Sequence, residues 1–332
     1  YTHTHNIYIP TMDMPMPSVT PVPLQEKKVK KNPGTYQDLG ARTANILNID
    51  FWDGFQLQGA VPILPGKIME QMQAGTYNGP QPNPKLALTH TFLLGTSMIP
   101  SGRTYQFGAN YMQSQRDVLV GKIDPGTGDM MINVNQFLHD NMRMSMGGRL
   151  VSDSSEQPSV LDGNLAYLGP GYTVTSKLGY NSQNGSTFGF SFMQAFTDNI
   201  KVGCNTTYKL KTGLSTISCG GAISGKQDIA SIKFVSPQEK PGKMVLGYFR
   251  AVDSKVSLAT ELEVTSERKS NLKFGWQFNM NLAKISGSID SNFVAMTTLE
   301  ERVQPGFSLL FAAMANHAIG KYKFGVGMNI GQ

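Results

Sequence analysis

From Phe51 onward, apolar and polar residues alternate with a period of two. Between Asn271 and Met280, Leu272, Phe274, Trp276, Phe278 and Met280 fall on one face, and Asn271, Lys273, Gly275, Gln277 and Asn279 on the other. The stretches 200–211 and 321–330 repeat the pattern. Successive side chains of a strand point to opposite faces, so this period predicts strands. Turn signals such as Asp124-Pro125-Gly126, Asn184-Gly185-Ser186, Lys211-Thr212-Gly213 and Gln304-Pro305-Gly306 divide the region into 19 segments, the first near 53–62 and the last near 320–331. A long loop with Pro and Gly, Pro62 to Pro84, interrupts the otherwise short spacing.

One earlier stretch keeps the helical period. Over Thr35–Asn48, the residues Tyr36, Leu39, Thr43, Ile46 and Leu47 share a face, and Thr35 and Asp38 are spaced as a capping box. Such a short helix is marginal alone in water, so it is expected to dock on something. Before it, Pro10, Pro15, Pro17, Pro21, Pro23 and Pro33 rule out a regular element, and Lys27, Lys28, Lys30 and Lys31 form the one dense basic run. The expected organisation is a flexible arm over 1–33, a helix segment over 34–50 and a β architecture over 51–332. The arm reads equally as a tail with no role.

Composition narrows the architecture. Only 16% of residues are charged, against about 25% in average soluble domains. No apolar run reaches the ~18 residues that a spanning helix needs. The mean hydropathy of −0.22 is compatible with a membrane barrel, whose strands alternate lipid-facing and lumen-facing residues so that the mean cancels. Tyr1–Asp13 has neither the charged nor the apolar region of a secretory signal. A soluble sandwich also alternates, but three features point away from it. The segments approach the ~9–11 residues of a tilted spanning strand. Tyr172, Tyr180, Tyr208 and Tyr322 lie near strand ends, as interfacial girdles do. No helix follows residue 50 to cover a soluble sheet. The predicted fold is all-β: a closed 19-stranded transmembrane barrel with the short helix inside its lumen. An odd count makes the first and last strands parallel where they meet.

Candidate chemistry is sparse. Cys204 and Cys219 are expected as free thiols on strands, since a disulfide scaffold would use more cysteines. His90, His139 and His317 lack ligand-like spacing and are expected as solvated or hydrogen-bonded rim residues. Gly220–Lys226 imitates a phosphate loop, but Gln227 stands where Ser or Thr is needed. No catalytic constellation, metal site or cofactor is expected, and no nucleic-acid surface, so the chain reads as no enzyme.

Several stretches resemble the barrel subunit of the TOM complex, the translocase of the outer mitochondrial membrane. They are Asn32-Pro33-Gly34-Thr35-Tyr36, Gly54-Phe55, Tyr105 to Tyr111, Ser288 to Asn292, Thr298 to Glu301 and Lys323 to Gly331. Ser257 to Thr260 and Leu299 to Arg302 look most like plant or algal members. The similarity spans about 32–332. It implies a protein-conducting channel of the outer mitochondrial membrane. The implied partners are small single-helix subunits, a central receptor, a second copy of the barrel, precursors with basic presequences, and membrane lipid. The Thr35-Tyr36-Gln37-Asp38-Leu39-Gly40 helix start also resembles the voltage-dependent anion channel, a barrel of 19 strands. An anion and metabolite channel is therefore the alternative function.

The resemblance also implies roles for single residues. Lys323, Gly325, Met328 and Ile330 match the sorting signal of mitochondrial barrels: polar, any, Gly, any, any, hydrophobic, any, hydrophobic. Family members pass basic targeting sequences along acidic lumen patches, for which Asp162, Glu261 and Glu263 are the candidates on the lumen-facing phase. The alternative is that these carboxylates balance lumenal lysines such as Lys177, Lys201 and Lys273. Tyr36, Leu39, Ile46 and Leu47 are the expected docking residues of the lumenal helix.

Overall fold

The structure, a computed structural model, describes residues 32–63, 85–97, 99, 101–112, 117–152 and 158–331. The proline-rich arm to residue 31 and the loop over 64–84 lie outside the described residues. The alternating segments form 19 strands. They are β1 (Gly54–Ile63), β2 (Lys85–Leu94), β3 (Arg103–Met112), β4 (Val118–Ile123), β5 (Met130–His139), β6 (Met142–Leu150), β7 (Val160–Gly169), β8 (Tyr172–Asn181), β9 (Gly185–Ala195) and β10 (Ile200–Lys209). There follow β11 (Leu214–Ser224), β12 (Asp228–Pro237), β13 (Lys243–Ala251), β14 (Val256–Thr265), β15 (Ser270–Asn279), β16 (Ala283–Asp290), β17 (Val294–Gln304), β18 (Phe307–Asn316) and β19 (Lys321–Ile330).

Each strand pairs antiparallel with its neighbours in sequence, and β1 pairs parallel with β19, so the sheet closes on itself. The expected parallel seam is therefore present, with Gly54 opposite Gly325 and Leu57 opposite Met328. Closure removes both sheet edges, which in hydrocarbon would leave unpaired N–H and C=O groups. The outward phase is apolar and exposed: Phe188, Phe190, Phe192, Phe234, Leu272, Phe274, Tyr322 and Phe324 all stand on it. The inward phase carries Ser, Thr, Asn, Gln, Lys and Glu.

Residues 32–53 run through the lumen from one rim to the other. The Asn32 side chain donates to the carbonyls of Gly169 and Tyr172 at the β7–β8 turn. The Asp38 carboxylate accepts from the Thr35 backbone N–H and hydroxyl, 2.8 Å each, which forms the expected cap. The helix expected over Thr35–Asn48 is not continuous. A single 3₁₀ turn, Tyr36–Asp38, is followed by α1, Ala41–Leu47. Gly40 separates them at φ +77°, a left-handed conformation that glycine adopts without strain. That kink lets both halves follow the curved wall.

The apolar face nevertheless comes out as its spacing predicts. Tyr36, Leu39, Ile46 and Leu47 are buried and Thr43 with them. Tyr36 and Leu39 pack with Met193 and Ala222, and Ile46 and Leu47 with Phe249 and Ala259. The wall is cut down to receive them. A Cβ on Gly220 would lie 2.9 Å from Leu39, and one on Gly275 2.9 Å from Leu47. These contacts supply what a helix of this length cannot supply alone. Leu39 has no exposed surface, so Leu39→Ala is expected to weaken the docking of this strap by about 2–5 kcal/mol. Limited proteolysis within 32–53 should rise in that variant and stay at the wild-type level in Leu210→Ala, whose side chain faces outward.

Candidate functional site: the barrel lumen and its seam

Inside the barrel, charge follows strand register. On the wall that carries the strap, Glu263 pairs with Lys243 on the neighbouring strand at 3.2 Å. Glu261 stands opposite Lys273, which also faces Asp290 from the other side. Glu300 stands opposite Lys284. Glu261 and Glu300 thus have a lysine directly opposite in register, and of these carboxylates Glu263 is the one within ion-pair distance of a lysine among the described residues. Glu261 and Glu263 do share the lumenal phase, as their spacing requires, but a basic passenger would compete with Lys243 and Lys273 for them. Asp162 lies on β7, opposite Gly147 and Gly179, on a different wall from the β14 pair. The structure thus brings Glu261 and Glu263 together on one strand and leaves Asp162 apart.

The opposite side of the lumen runs from β2 to β8, where the strap touches only the β7–β8 end through Asn32. Its inward residues are largely amides and hydroxyls: Gln106, Asn110, Asn133, Asn135, Ser145 and Asn164. Two of its cations are held by amides. The Arg143 Nε donates to Asn135 Oδ1 at 2.8 Å, and Lys177 Nζ to Asn205 Oδ1 at 2.8 Å. Between the end of the strap and the seam lies a recess of about 550 Å³, lined by Asn48, Gln56, Gln58, Gln106, Gln277 and Asn329 among others. An amide offers both donor and acceptor, so this surface can engage a peptide backbone without regard to side-chain sequence.

The sorting-signal residues sit at the seam. Met328 and Ile330 take the outward phase. Gly325 faces inward beneath Trp52, where a Cβ would collide with the Trp52 carbonyl oxygen. Lys323 reaches across to Asp53, 3.7 Å away, and donates to the Ser97 hydroxyl. Asp53 was not legible as a site residue, because its partners come from the β2–β3 loop and from the last strand. It accepts from the Thr96 hydroxyl at 2.6 Å, and from the Ser97 backbone and hydroxyl. One carboxylate at the rim thereby ties the end of the strap to the β2–β3 loop and to the last strand.

Two expectations are corrected here. Cys204 and Cys219 are not free thiols. They lie directly opposite one another on β10 and β11, with Cα atoms 4.1 Å apart, and form a disulfide on the outward phase. Cross-strand register brought them together, which spacing along the chain does not reveal. His90 is not at a rim but within β2 on the outward phase, where its Nδ1 is 2.8 Å from the Tyr105 hydroxyl and its ring packs near Phe107. The expected hydrogen bond is present. His139 and His317 lie at strand ends and turns, as expected.

Residues 76–325 match the model of the eukaryotic porin family. The chain belongs to that family. Over 313 residues it is 25% identical to a probable mitochondrial import receptor subunit TOM40-2 of Arabidopsis thaliana, covering 90% of each chain. It is 26% identical over 318 residues to the import receptor subunit TOM40 homolog 2 of Drosophila melanogaster, covering 90% of this chain and 84% of that one. The human TOM40 homolog is 22% identical over 315 residues, covering 90% and 78%. Plant and insect relatives are thus about equally similar. With the closed 19-stranded barrel, these likenesses make the chain a mitochondrial porin-superfamily protein of the TOM40 type, an integral β-barrel channel of the outer mitochondrial membrane.

The pH response of this channel should show Asp53. Burial raises its pKa, but the bonds from Ser97 and Thr96 and the charge of Lys323 outweigh that and hold it at about 2, below the ordinary 3.8. A carboxyl whose folded pKa is depressed stabilises the fold above its unfolded pKa and loses that contribution as pH falls through the folded one. Wild-type thermal stability should therefore drop between about pH 4 and 2. Asp53→Asn should lower stability at neutral pH by about 1.5–3 kcal/mol and flatten that part of the profile, as measured by melting in detergent.

Proposed function

We propose that this channel conducts unfolded precursor polypeptides across the outer mitochondrial membrane as the pore subunit of a TOM import complex. The likeness to import receptor subunits over nine-tenths of the chain carries this reading. The lumen supports it physically. Passage requires wall contacts that form and break repeatedly without trapping the passenger, and the amide-lined open side offers weak contacts that suit any sequence. The partners that follow are small single-helix subunits, a central receptor, a second barrel and precursors with basic presequences. The outward aromatic phase meets lipid. Among these lumenal carboxylates, Glu263 is held by Lys243, whereas Asp162 and Glu261 have no ion pair among the described residues and are the more accessible contacts for a basic presequence.

The direct test is a precursor stalled in transit. Photo-reactive groups at Gln106 and Asn164 should cross-link to it, and groups at the adjacent outward positions Phe107 and Leu165 should not. If no lumenal position cross-links while small solutes still pass, the anion and metabolite channel becomes the better reading.

We also infer that Lys323, Gly325, Met328 and Ile330 direct barrel insertion, with closure of the seam as the physical step that they serve. Gly325→Leu places its side chain into Trp52, whereas Val326→Leu enlarges a side chain that already faces lipid. Import and assembly of radiolabelled variants should show Gly325→Leu several-fold less in the mature barrel, on the order of the 1–3 kcal/mol that overpacking costs, and Val326→Leu at the wild-type level.

A further inference from the structure

The Cys204–Cys219 bridge lies at mid-height of the outer wall. Each cysteine is the central outward residue of its strand. Ile200 and Val202 precede Cys204 on that phase, and Thr206 and Tyr208 follow it. Ser215 and Ile217 precede Cys219, and Gly221 and Ile223 follow it. Across the neighbouring ladders Phe192 stands opposite Cys204 and Phe234 opposite Cys219, and both rings are exposed. The two sulfurs therefore face hydrocarbon, with an aromatic ring on either side.

Thiol–disulfide exchange needs a thiolate as the attacking group. Hydrocarbon excludes charge, so a thiolate neither forms nor arrives at this depth. Once this wall is in lipid, exchange can neither close the bond nor open it. Yet the bond cannot close before β10 and β11 are in register, because a slip of one residue turns a whole strand over. We propose that the β10–β11 hairpin pairs in water and closes this bridge before it enters the membrane, and that the bilayer then shelters the bond from aqueous redox chemistry. In the closing step one cysteine thiolate attacks a small disulfide and expels one small thiolate. The second cysteine thiolate attacks the mixed disulfide and expels the other. Two cysteines are oxidised, one small disulfide is reduced to two thiols, and these take up the two protons that the cysteines lost.

The pairing that the bridge fixes also serves the strap. Gly203 stands opposite Gly220 on the lumenal phase of the same hairpin, each adjacent in sequence to a cysteine. A Cβ on Gly220 would crowd Leu39. The register that aligns the sulfurs outside is the one that makes room for Leu39 inside.

The test counts free thiols in the full chain with a maleimide-linked polyethylene glycol, added on denaturation in SDS. Protein taken from its native membrane should carry the bridge and no free thiol. Chain reduced in denaturant and then inserted into phospholipid vesicles should keep two free thiols when oxidised glutathione or hydrogen peroxide is added outside and inside. Chain bridged first and then inserted should keep none when reduced glutathione is added. In SDS without the bilayer, the same reagents should change the count about tenfold faster or more. Two free thiols in the native protein would overturn the proposal. So would closure or opening in vesicles at the rate seen in SDS.

Discussion

Everything in this protein depends on one constraint: inside hydrocarbon, no backbone N–H or C=O can be left without a partner. Nineteen strands satisfy it only if the last meets the first, and an odd number forces that meeting to be parallel. Parallel pairing is slightly weaker per residue than antiparallel, so the seam is where added side-chain interaction matters most. Asp53, Thr96, Ser97 and Lys323 supply it at the rim, and Gly325 allows Trp52 to lie close over the ladder.

The lumen then divides according to what the strap needs. Beneath it the wall is small, with Ala222 and Ala259 packed against the strap and Gly220 and Gly275 where a Cβ would crowd Leu39 and Leu47. Beside it, lysines and carboxylates face each other across the ladder. Away from it, the wall keeps amides and cations that no strap contact consumes. A single chain segment thus sets the two chemical characters of the pore.

How much of this was legible in the sequence depends on the range of the interaction. Period-two alternation is local, so the strands and their faces could be read directly, as at 271–280. Parity then implied the parallel seam. The docking face of Tyr36, Leu39, Ile46 and Leu47 was equally local. Its break was not predicted, although Gly40 in the middle of the segment was the available signal. Interactions that depend on inter-strand register stayed hidden. The Cys204–Cys219 disulfide, the lysine opposite Glu261, the ion pair of Glu263 with Lys243, the pairing of His90 with Tyr105 and the partners of Asp53 all join residues whose alignment is fixed only when neighbouring strands are paired. The role of Asp53 needed both ends of the barrel at once.

The strap also changes the parity of the chain's path through the membrane. Nineteen strands by themselves would leave the start of the first and the finish of the last on opposite sides of the bilayer. Residues 32–53 cross once more, inside the ring and without joining it. Asn32 at the β7–β8 turn and Ile330 at the end of β19 consequently lie at the same mouth. One mouth carries both extremes of the described chain, and the other is framed by loops and turns alone. The two compartments that this barrel separates therefore meet different molecular surfaces.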